Sequence, residues 1–128
     1  MSALSNYLEN ALLNATLSAT AYTSPSTVYL GLFLTDPTDA NTGTEVSGGS
    51  YMRTPISFGT ASNGQISNVA AINFEIATTD WGTVGWIGIF DAQTSGNLLF
   101  HTALNTPVTV SATTIFTMPV GSLVITLS

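Results

Sequence analysis

The opening stretch SALSNYLENALLNATL places Leu4, Tyr7, Leu8, Ala11, Leu12 and Ala15 at intervals of three and four. Residues so spaced share one face of an α-helix, so the pattern predicts one short helix over about 3–17, with Ser2 or Ser5 as its N-cap. After Thr16 β-branched and small residues take over, and Pro25 ends any helical continuation. Nothing later in the chain has a helical period.

From Thr27 onward the pattern is that of strands. TVYLGLFL, YMRTPISF, AAINFEIA, VGWIGIF, NLLFHTAL, TTIFTMPV and SLVITLS are separated by stretches rich in Gly, Asn, Ser, Thr, Asp and Pro, and GQIS and VTV are candidates for short additions. Ile72, Phe74 and Ile76 alternate with Asn73 and Glu75, and Leu123, Ile125 and Leu127 alternate with Ser122, Thr126 and Ser128, so these strands are expected to keep one wet face. Many short strands with no helix between them predict a mostly β fold: a single antiparallel β-sandwich or jelly-roll-like domain over about 27–128, with the helix appended. The turn residues of DAQTSGN join VGWIGIF to NLLFHTAL as a hairpin. The polar stretch 35–50, with its isolated Val46, is expected to be a mobile loop or an arm reaching a neighbour.

Two strands break the alternation. With a strict period of two, Val84, Trp86 and Phe90 share one face and Ile87 and Ile89 the other. Likewise Val28, Leu30, Leu32 and Leu34 oppose Tyr29 and Phe33. A two-sheet sandwich has one interior, so the second apolar faces must be covered by the helix, by loops or by another subunit. A homo-oligomer is the expectation, with a closed trimer as the simplest form.

Composition sharpens this picture. Charged residues make up 6% of the chain against roughly 25% in an average soluble domain. The net charge is −6 and Arg53 is the only Lys or Arg, too few cations to neutralise a phosphate backbone or anchor to an acidic membrane surface. Neither nucleic acid nor membrane is an expected partner. The Met-Ser-Ala-Leu-Ser start lacks the basic residues of a signal peptide, which predicts a soluble chain made in the cytoplasm. There is no cysteine, hence no disulfide or thiolate metal site.

Candidate chemistry is sparse, and no enzyme is expected. His101 has no G-x-S-x-G elbow to partner, and a lone His on a strand is usually structural. Glu75, Asp80 and Asp91 supply carboxylates for a glycan hydrolase, but each reads more simply as a strand or turn residue. Asp36, Asp39, Asn41 and Glu45 offer oxygen ligands to a cation such as calcium, without the spacing of an EF-hand loop. No cofactor is expected. The candidate interface residues are therefore Tyr29, Phe33, Tyr51, Arg53, Trp81 and Trp86. Arg53 suits a carboxylate of its own chain or of a neighbouring copy, and the tryptophans suit an interface or a sugar platform.

The segments STVYLGLFLTDPTD, EVSGGSYMR and GIFDAQTSGNLLF, within a similarity covering nearly the whole chain, resemble a family of small proteins encoded among the structural genes of tailed bacteriophages and prophages. Members are often labelled tail fibre proteins, and similar small β proteins of freshwater cyanophages resemble capsid cement or decoration proteins. The resemblance implies a virion component. An acidic chain with one cation suits the outer capsid surface, which predicts a cement protein binding the major capsid protein. The alternatives are a tail fibre or baseplate component contacting the host, and a small glycan-binding or glycan-hydrolysing module.

Overall fold

The structure, a computed structural model, describes residues 3–127. The helix α1 spans Asn6–Leu17, and the Ser5 hydroxyl caps it by accepting from the Leu8 N–H. Ser2, the other candidate cap, lies outside the described residues. The helix begins later than its periodicity predicts because Ala3–Leu4 form a strand, β1. Ser5 explains the switch: its backbone is extended, its N–H donates to Leu99 O at 2.9 Å, and its hydroxyl donates to Leu98 O. That anchorage holds the preceding residues against the sheet.

The remaining strands are β2 (Val28–Phe33), β3 (Thr54–Ile56), β4 (Gln65–Ser67), β5 (Ile72–Asn73), β6 (Gly82–Phe90), β7 (Leu98–Val110), β8 (Thr117–Met118) and β9 (Val124–Thr126). All pairings are antiparallel, giving a five-stranded sheet in the order β1-β7-β6-β2-β3 and two ribbons, β4-β9 and β5-β8. The fold is the expected mostly β, sandwich-like one with a single helix, and the β6–β7 hairpin forms around Asp91–Asn97. VTV is not a separate strand but the end of β7.

The main core lies between the five-stranded sheet and the two ribbons. Leu30, Leu32, Ile56, Val84, Ile87, Ile89 and Val110 face Ile72, Phe74, Phe116, Leu123 and Ile125. At roughly 1.5–3 kcal/mol for each large apolar side chain fully buried, this layer is the principal source of stability. The sheet edges are two- and three-residue strands, one carrying Pro55, which limits edge-to-edge pairing.

Strict alternation fails at three places, each for a local reason. Val84 joins Ile87 and Ile89 in the core rather than Trp86 and Phe90. From the Val84–Val108 pair to the Trp86–Ala103 pair, β6 advances two residues and β7 five, and this bulge turns Val84 over. Ile76 is exposed, because Phe74 and Ala77 are the residues whose N–H groups reach Phe116 O and Thr114 O, a step of three instead of two. Leu127 lies beyond β9 and is also exposed.

Segment 35–50 is fastened along its own chain. The Leu34 N–H donates to Thr44 O at 2.8 Å and the Val46 N–H to Leu32 O at 2.9 Å, so Thr44–Val46 continues the β2 edge where β3 stops. Val46, 3% exposed, is the apolar plug that draws this polar segment onto the core, and Pro37 is fully buried.

Candidate functional site

The second face of the sheet is closed by the chain itself. On it, Phe33 pairs with Trp86, Gly31 with Gly88 and Tyr29 with Phe90. The facing glycines clear a hollow in which the rings of Phe33 and Phe90 stack, 5.9 Å between centroids, with Leu98 beside them and half-buried Trp86 at the margin. A Cβ on Gly88 would lie 2.8 Å from Leu98 Cδ1 and 3.0 Å from Phe33 Cε1. One on Gly31 would lie 3.0 Å from both Phe90 Cε1 and Glu45 Oε2.

Arg53 forms the lid of this hollow. Its guanidinium lies 3.5 Å from the Phe90 ring centroid and grips Glu45 bidentately, Nε to Oε2 at 2.9 Å and Nη2 to Oε1 at 2.8 Å. Nη1 donates to Ala92 O and Ser95 O in the hairpin turn, at 3.1 and 2.7 Å. One side chain thus ties β6–β7, the 44–46 arm and the aromatic face together. Planar bidentate pairing with ring stacking is a task for which Lys is no substitute.

Tyr51 extends the network into the main core. Its hydroxyl donates to Glu45 Oε2 at 2.6 Å and accepts from the Leu32 N–H at 2.9 Å. Burial, and then the neighbouring Glu45 carboxylate, hold its phenol far above the usual tyrosine range, with the Leu32 N–H and Arg53 pulling partly back. Its ring stacks on Phe74 and meets Trp81 edge-on, while Trp81 Nε1 donates to Gly49 O at 2.9 Å. Of the sequence-derived residues, then, Phe33, Arg53 and Trp81 are buried within the chain, Tyr51 and Trp86 are half-buried at the ends of the two aromatic groups, and half-buried Tyr29 lines an open cleft with the hairpin turn.

The carboxylates are dispersed. Asp80 accepts from the Ala112 N–H at 2.8 Å, and Asp91 closes the hairpin turn through the Asn97 N–H at 2.7 Å. Asp36 accepts from the Thr38 N–H at 2.9 Å, Asp39 contacts His101 Nε2 at 2.7 Å, and Glu45 serves Arg53 and Tyr51. Among the described residues no group of three or more His, Asp or Glu is placed to hold a metal.

Two features escaped the pattern of residues. The first is Asn68, 1% exposed, which donates to Ala70 O and Pro119 O and accepts from the Leu123 N–H, locking the β9 approach. The second is an apolar cavity of about 250 Å³ between β7 and the β4–β9 ribbon, walled by Val28, Phe58, Ile66, Ile89, Leu99 and Phe100. Its only sequence signal is the exposed end of an alternating run, Leu127, at its mouth.

The architecture defines a small, mostly β, sandwich-like domain held by an internal ion pair. The model of a phage family, Podophage GP4 fiber I protein gp80, matches residues 3–126, and the chain belongs to that family. It is accordingly a phage structural protein, a component of the virion. No curated protein sequence matches the chain.

Proposed function

We propose that the chain is a non-enzymatic subunit of a virion fibre. The observation that carries this reading is the fibre family match, which runs through both layers of the fold and every fastening residue described above. The dispersal of Asp80, Asp91, Asp36 and Asp39 to separate backbone and side-chain partners supports a structural rather than a catalytic part. Exposed Leu13, Leu17, Ile115 and Val120, with the open apolar cavity, support assembly with other chains, most simply further copies arranged as a closed trimer.

A second reading, a decoration protein bound to the major capsid protein on the outer capsid surface, has one observation in its favour. Burial of Arg53, the sole Lys or Arg, leaves the exterior without a lysine or arginine side chain, which suits a position away from packaged DNA. The same burial argues against nucleic acid and acidic membrane surfaces as partners, and no helix among the described residues is long and apolar enough to cross a membrane.

Disrupting the gene separates the two readings. Virions with intact heads that lack a fibre support the first. Virions that keep every fibre but have heads that rupture on mild heating overturn it and support the second.

A further inference from the structure

Tyr7, Asn10 and Asn14 lie three and four residues apart and so share one side of α1. The Thr20 N–H donates to Asn14 O at 3.1 Å, folding the chain back along that side and leaving a cleft of about 470 Å³ roofed by Tyr22 and Thr23. The arm continues past Tyr29 and the hairpin turn at Asp91 and Gln93, where a second cleft of about 710 Å³ opens. Thr23 lines both clefts, and Tyr22 is under the electrostatic influence of Tyr7 at one end and Asp91 at the other. The two clefts share Thr23 and follow the arm between the helix and the hairpin turn as a groove in two parts, each within the size range of ligand clefts.

The lining is selective in chemistry. Three of the chain's four tyrosines stand in it, and its remaining surface is mostly Asn, Ser, Thr and Gln. Buried Tyr51 commits its hydroxyl to Glu45 and Leu32. By contrast, among the described residues the hydroxyls of Tyr7, Tyr22 and Tyr29 and the amides of Asn10 and Asn14 make no hydrogen bond. Tyrosine rings give rigid amphipathic contact area at low entropic cost, and short amides and hydroxyls adapt their hydrogen bonds to a ligand. That combination matches a ligand with flat C–H faces edged by hydroxyls. The charge narrows it further: the one ionisable acid in the groove is Asp91, no Lys or Arg lines it, and the chain carries −6 overall. Sulfated, phosphorylated and uronic-acid polymers would meet repulsion without a compensating cation.

We propose that this groove binds a neutral oligosaccharide, with Tyr7, Tyr22 and Tyr29 as the stacking surfaces and Asn10 and Asn14 as hydrogen-bonding edges. The assignment concerns the isolated chain and is independent of its position on the virion.

The test uses the purified full chain on immobilised neutral oligomers of glucose, galactose, mannose, rhamnose and N-acetylglucosamine, beside the anionic polymers polygalacturonate and heparin. At least one neutral series is expected to bind and neither anionic polymer. The triple variant Tyr7→Ala, Tyr22→Ala, Tyr29→Ala is expected to weaken that binding at least about tenfold. Asn10→Ala with Asn14→Ala, at exposed helix positions, provides a second test that does not disturb the core. Retention of no neutral series, preference for an anionic polymer, or neutral binding unchanged in both variants overturns the proposal. So does self-association that both variants abolish while no neutral sugar binds, since the groove would then be a contact between copies.

Discussion

Replacing Glu45 with Gln tests the internal fastening most sharply. The amide keeps the shape of the carboxylate but removes its charge, leaving the Arg53 guanidinium, with a side chain 9% exposed, without its anion. Removing one member of a buried pair typically costs 3–5 kcal/mol, about 3 here because Ala92 O, Ser95 O and the Phe90 ring still face the cation. A domain of this size should then lose about 10 °C of melting temperature, read by circular dichroism with urea denaturation as a second measure. The double variant Glu45→Leu, Arg53→Met removes both charges together and should recover much of the loss, because replacing a buried pair by apolar residues is often near neutral. A fall of less than about 1 kcal/mol in Glu45→Gln would refute the reasoning and reduce the pair to the standing of an exposed salt bridge.

Three further outcomes follow from the same geometry. Tyr51 keeps its proton in the folded chain while the unfolded chain loses it above the ordinary value of 10.0, so its contribution is complete below that pH and declines above it. Stability should fall by about 1.4 kcal/mol per pH unit from this residue alone, and Tyr51→Phe should flatten that slope in alkaline urea titrations. Gly88→Ala should destabilise by about 1–3 kcal/mol through its clash with Leu98 and Phe33, whereas Gly85→Ala, where the added carbon has no atom within 4 Å beyond its own residue and its chain neighbours, should stay within about 0.5 kcal/mol in thermal melts. Asn68→Leu should cost about 2–4 kcal/mol by stranding the buried Leu123 N–H, and hydrogen exchange should show faster opening at residues 123–126.

Periodicity located the helix and the long strands because those elements are governed by a single repeated requirement, one face in and one face out. It misplaced particular residues wherever a non-local contact intervened. The helix start moved because Ser5 is bound to Leu98 and Leu99, more than ninety residues away in sequence. Val84 changed face because β7 carries extra residues opposite Gly85. Val46 looked isolated in a polar loop, yet it is what seats that loop on the core. The double-sided apolar pattern of β2 and β6 correctly demanded a cover, and loops, among the stated options, supply one through Glu45, Arg53 and the hairpin turn. Nothing in the sequence pairs Arg53 with Glu45 in particular, since a sole arginine has several acids to choose from until register brings Gly31 opposite Gly88. The tyrosine groove was equally hidden, being assembled from a helix side, an irregular arm and a hairpin turn that share no sequence period.

Gold-labelled antibody against the chain on intact virions tests the fibre assignment most directly. Label confined to a fibre is the predicted result; label distributed over the head, with the fibres bare, contradicts it.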